Sequence, residues 1–195
     1  MDRRQLLQAG FGAAGCVLVG GCLGDVVRSE DEPIEGESEE LLPPPERVIE
    51  GLDGEWTENE DEFAEGSIVD DADAASQFHR TGEDEAEADQ VEEDPRIETA
   101  GEVTIGVWTY ENDEGARDAY GDHPDQRREF HVTDVADESI VGTVSVFGEF
   151  PQARVLFRET NAVGWVSYWN VQLRDIEQYE LTAIDLAETV HEQWR

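Results

Sequence analysis

Lysine is absent from this 195-residue chain: all 13 basic residues are Arg, against 49 acidic ones, for a formal net charge of −36. Nucleic acid is excluded as a natural partner, because its phosphates would be repelled. Cysteine occurs only at Cys16 and Cys22, and no Gly-x-Ser-x-Gly elbow exists to carry a nucleophilic serine. No glycine-rich loop precedes a helix in a way that could cradle phosphate. The four histidines, His79, His123, His131 and His191, include no i, i+4 pair that would set two imidazoles on one helical face. The densest cluster, Asp122-His123-Pro124-Asp125 with His131, therefore reads as a solvated loop rather than a metal centre. Calcium fares no better, since Tyr110 stands where an EF-hand loop begins with Asp and Gly121 where it closes with Glu. Paired carboxylates are everywhere, so no single pair marks acid/base chemistry. No metal, cofactor or catalytic residue is expected, and the chain reads as a non-enzyme.

Charge is also missing from Gln5 to Gly24, directly after Arg3-Arg4. About 20 uncharged residues can span a bilayer. Six glycines in this run make a poor spanning helix. Arg3-Arg4, the weakly apolar run and Val19-Gly20-Gly21-Cys22 instead read as a twin-arginine export signal fused to a lipobox, with Cys22 as the lipidation site. Residues 1–21 are then a removed signal peptide.

Self-repulsion at this charge is severe in dilute buffer, whereas a Debye length of about 3 Å at 1 M salt removes most of it. With its signal and its Arg-for-Lys usage, the chain resembles lipoproteins exported by halophilic archaea. That resemblance implies cleavage before Cys22, a thioether-linked lipid there, and display on the outer face of the cytoplasmic membrane. It also implies the twin-arginine machinery as a partner and a mature chain that forms no disulfide. Stability is then left to a core, for which about 150 residues suffice.

Asp25 to Glu46 is acidic, poor in large apolar residues and closed by Pro43-Pro44-Pro45, which suggests a solvated tether over 22–45. Intrinsic disorder is an alternative cause of the acidity; it fits 25–45 and fails after residue 100, where apolar strands are dense. A single domain is expected over 46–195, with an exposed acidic loop near 81–95.

Within it, Val103, Ile105 and Val107 alternate with Thr104, Gly106 and Trp108, a strand period over Val103 to Tyr110. A short helix follows over Asn112 to Tyr120, capped by Asn112, with Ala116, Ala119 and Tyr120 inward. Strands are expected at Ser139 to Phe147, Ala153 to Glu159 and Ala162 to Asn170, the last two paired as a hairpin with Asn161 tolerating the left-handed turn conformation. A C-terminal helix closes the chain, with Asp175 and Gln178 as a capping box and Ile176, Tyr179, Ala183, Ala187, Val190 and Trp194 inward. The fold class is α+β: an antiparallel sheet with helices packed on one face, including the long C-terminal helix.

This element order is similar to the extracytoplasmic sensor domains of mycobacterial serine/threonine kinases. The residues carrying the likeness are Asp118-Ala119, Arg158 with Asn161, and the helix Ala183 to Trp194, about half the chain. The resemblance implies a ligand or signal binder rather than an enzyme, and carries no functional residue across.

If Glu159 pairs with Ala162, one hairpin face holds Ala153, Val155, Phe157, Gly164, Val166 and Tyr168, a core face. The opposite face holds Arg154, Leu156, Arg158, Val163, Trp165, Ser167 and Trp169, with Trp108 and Tyr110 in the same mixed style. Arg154, Arg158, Trp165, Trp169, Trp108 and Tyr110 are accordingly the candidate ligand residues, suited to a small anionic ligand held by guanidinium and flanked by rings. The same residues also suit two roles that need no ligand. Both Arg can stack on Trp and pair with acidic loops as structure alone, and the domain can serve as an envelope-interaction protein.

Overall fold

The computed structural model describes residues 33–34, 36, 38–59, 63, 67–80, 100–146, 150–170 and 175–195. Arg3, Arg4, Cys22 and the acidic stretch 81–95 lie outside the described residues.

Seven antiparallel strands form one sheet, β1 (Trp56–Glu58), β2 (Ala74–Arg80), β3 (Gly101–Thr109), β4 (His131–Val132), β5 (Glu138–Val146), β6 (Phe150–Glu159) and β7 (Ala162–Asn170), in the order β1-β2-β3-β7-β6-β5-β4. Among the described residues three α-helices accompany them: α1 (Pro45–Glu50), α2 (Asp113–Asp122) and α3 (Ile176–Gln193). The class is α+β. Among the described residues no helix is long and apolar enough to cross a membrane.

The β6–β7 hairpin closes with Glu159 opposite Ala162 and Val155 opposite Val166. Period-2 alternation then sends Val155, Phe157, Val166 and Tyr168 to one face, where α3 buries Tyr179, Ala183, Leu186, Ala187, Val190 and Trp194 against them. Packing is specific: Phe157 stacks on Trp194 with centroids 5.0 Å apart. Its ring fills the space above Gly164, directly opposite in the sheet, where any Cβ would overlap it. Burying an aromatic side chain of this kind is worth about 1.5 to 3 kcal/mol.

The helices do not share one face as the sequence suggests: the short helix α2 lies on the other, where Ala116 and Tyr120 pack with Val69, Leu156, Val163 and Trp165. The Asn112 side chain caps it by accepting from the Gly115 N–H at 3.0 Å, as the sequence suggests.

Further local expectations differ from the structure. Asp175 makes no side-chain cap hydrogen bond, and Ile176 is exposed rather than inward. In the hairpin turn it is Thr160, not Asn161, that adopts a left-handed φ of 45°. Asn161 is occupied elsewhere: its side chain grips the backbone of Ile34, accepting from the N–H at 2.7 Å and donating to the carbonyl at 3.3 Å. That contact marks another difference, because Ile34 and Leu41, expected in a solvated tether, belong to the core. Trp194 holds the same strap by donating from Nε1 to the Leu41 carbonyl at 3.0 Å.

Candidate functional site

The mixed Trp and Arg face runs across β6 and β7 as the alternation suggests, and the chain folds back over it. After α2, the turn Pro124–Arg127 lays Asp125 on this face with no exposed surface, so at Asp125 the cluster is packed against the sheet and is not the solvated loop the sequence suggests. The Asp125 carboxylate accepts from Trp165 Nε1 at 2.9 Å, from Arg128 Nε at 3.0 Å and from Arg154 Nη1 at 3.3 Å. Arg154 lies over the Trp165 ring, 5.6 Å from its centroid, and donates from Nε to Gln152 at 2.8 Å. Burial pulls the Arg154 guanidinium below its ordinary value, with Asp125 opposing. A cation stacked on indole and hydrogen-bonded to a buried carboxylate is a compact structural unit.

His123 completes the turn. Its Nδ1 accepts the Asp125 N–H at 3.2 Å, and burial holds the imidazole below its usual range, against the pull of Asp125. The neutral ring is the one the turn uses, because a proton on Nδ1 would abolish its acceptor.

Trp108 donates to Asp71 at 3.2 Å at the edge of the same face. Tyr110 offers its carbonyl to Asn161 at 3.1 Å, and its phenol is raised by burial and then by Asp71 and Asp73. Trp165 and Trp169 are each only 4% exposed. The face is therefore covered rather than open.

Arg158 sits at the end of the sheet, 3% exposed. It donates to Asp113 at the start of α2, to the Thr160 carbonyl at 3.1 Å and to Glu138 at 2.9 Å. Burial lowers its affinity for the proton, but hydrogen bonds and charge from Glu138 and Asp113 outweigh that, leaving it raised. Arg117, one turn along α2, bridges the same two carboxylates, at 3.0 Å from Asp113 and 3.8 Å from Glu138.

Here a groove of about 400 Å³ opens, lined by Pro33, Glu111, Asn112, Asp113, Arg117, Asp137, Arg158, Thr160 and Asn161. Four separate segments meet in it: the strap, the β3–α2 corner, the loop before β5, and the β6–β7 turn. Of the six candidate ligand residues read from sequence, Arg158 is the one lining the groove. Its Nε is buried without a hydrogen-bond partner. Sequence reasoning does not reach Glu111, Arg117 and Asp137, since acidic and basic surface residues carry no local mark of a shared cavity. Among the described residues no group of three or more His, Cys, Asp or Glu side chains is placed to hold a metal ion.

Among solved structures, the chain is similar to the extracellular domain of PknH from Mycobacterium tuberculosis, at 11% identity over 83% of this chain and 99% of that one, with a TM-score of 0.45. A structure from Bacteroides thetaiotaomicron is matched at 12% identity over 66% of this chain and 40% of that one, with a TM-score of 0.33. No family model and no curated protein matches the chain.

Proposed function

We propose that this chain is a lipid-anchored, extracytoplasmic, non-enzymatic binding domain of a halophile, and that its ligand site is the groove at the Arg158 end of the sheet. The observation that carries the site is a concave, four-segment wall around Arg158 enclosing about 400 Å³, within the 300 to 1,000 Å³ in which mostly pre-formed pockets typically hold small molecules. The anchor and the location rest on Arg3-Arg4, the uncharged run and Cys22, with the twin-arginine machinery as export partner. The covered Trp and Arg face favours a second reading, an envelope-interaction protein without a small ligand.

Binding is tested by nuclear magnetic resonance on the full chain at molar salt, with maltose, glutamate, glycine betaine and choline as probes. At least one probe should shift the amide signals of Asn112, Arg117 and Asp137. If none of the four moves them, the groove is not a ligand site and the second reading replaces the first.

The anchor is tested by fractionation. Cys22→Ser should move the protein from the membrane pellet to the soluble fraction, since attachment depends on the lipid. Retention in the pellet after a high-salt wash would make residues 5–24 a true membrane span.

A further inference from the structure

We infer that the β4 border of the sheet is a docking edge for an extended acidic segment of a partner protein; this goes beyond the groove and rests on neither it nor the lipid anchor. β4 is the last strand on its side of the sheet. His131 pairs with Val141, and the Thr133 N–H donates to the Ser139 carbonyl at 3.1 Å. Backbone groups alternate sides along a strand, so those of Phe130 and Val132 turn away from β5.

Side chains of this border form a stripe. Phe130 packs over Gly142, which lies opposite Arg154 in the sheet. Arg128 reaches Asp125 on that same face, and Val132 stands opposite Ile140, which packs with the α2 cluster. Arg128, Phe130 and Val132 therefore alternate onto one side, cation, ring and aliphatic in turn. Val132 is 79% exposed, more than any other large apolar residue among those described.

Charge identifies the occupant. The guanidinium of Arg127, exposed beside the stripe, makes no ion pair or hydrogen bond among the described residues, although the chain holds 49 acidic residues. Each of the other described arginines has a polar partner. A border guarded against copies of this chain would repeat the acidity of the remaining surface, as Glu58 does on β1. Cations here attract carboxylates instead. Molar salt confines repulsion between acidic surfaces to about 3 Å, so an acidic partner can approach and pair at contact. Strand addition then supplies main-chain hydrogen bonds, with apolar residues against Val132 and Phe130 and carboxylates against Arg128 and Arg127.

Nuclear magnetic resonance on the full chain at molar salt tests this with two probes, the peptide acetyl-Val-Thr-Val-Thr-Glu-Thr-Glu-amide and its counterpart with Lys for both Glu. The Glu peptide should shift the amide signals of Phe130 and Val132 and leave those of Asn112 and Asn161 in the groove unmoved. Val132→Pro removes an outward N–H without touching a bond to β5, and should weaken the Glu peptide roughly tenfold at an unchanged melting temperature. Arg127→Glu changes a free surface side chain and should turn the preference toward the Lys peptide, which decides the matter even if the proline distorts the border. Equal binding of both peptides by the unaltered chain, a Glu-peptide affinity untouched by Arg127→Glu, or silence at Phe130 and Val132 overturns the docking edge. Shifts of those two amides with protein concentration alone, accompanied by a dimer in analytical ultracentrifugation, overturn the acidic partner in favour of a second copy.

Discussion

Asp125→Ala should destabilise the domain by about 3 to 5 kcal/mol, the scale expected when one partner of a buried ion pair is removed. The carboxylate has no exposed surface and serves three donors, Trp165 Nε1, Arg128 Nε and Arg154 Nη1. Its removal strands the Arg154 guanidinium, only 16% exposed, and the buried indole N–H together. Asp125→Asn should cost less, since the amide oxygen still accepts from one donor. Urea unfolding measures both, as a shift of midpoint at constant slope. A loss under about 1 kcal/mol for the alanine variant would mean that the turn does not pin this face.

The second large effect concerns where the folded unit begins. A chain starting at Glu46, the boundary suggested by composition, should be less stable than one starting at Pro33. Ile34 and Leu41 are 8% and 3% exposed, and burial of each is worth about 1.5 to 3 kcal/mol. Asn161 and Trp194 also lose their backbone partners in the strap. At roughly 2 to 4 °C per kcal/mol for a domain of this size, the melting temperature should drop on the order of 10 to 20 °C. Equal melting temperatures for the two chains would return residues 33–45 to the role of a tether.

The strap shows why composition misleads there. Its acidity is what a solvated segment shows, and its two anchors meet residues 127 and 153 positions away. No local pattern encodes such a meeting. The strands β3, β6 and β7 are legible because their alternation is strict and half of it is large and apolar. β2 is not, since its core-facing positions are Ala74, Ser76, Phe78 and Arg80, with one large apolar residue among four. The turn at Thr160 escapes for a different reason: the Asn that suits a left-handed conformation is committed to gripping Ile34 and Tyr110.

The candidate site divides in the same way. Period-2 geometry places Arg154, Arg158, Trp165 and Trp169 on one face. Which of 49 carboxylates fold over them is not legible, because Asp113, Asp125 and Glu138 are ordinary members of an acidic surface until the chain closes. The groove needs four segments at once, so only the fold assembles it.

The sheet ends in strands of three residues at β1 and two at β4. An exposed edge offers free backbone groups on which a second molecule can template, and charged proteins ordinarily keep such molecules apart by repulsion. Molar salt takes that protection away, since forces between carboxylates fade within about 3 Å. Edge length is indifferent to ionic strength. Yet β1 registers only with Phe78 to Arg80 of β2, and β4 only with Ile140 and Val141 of β5, so the borders are short while the strands just behind them keep rungs that neither border strand pairs, and in such salt those rungs are where a neighbouring chain would be templated.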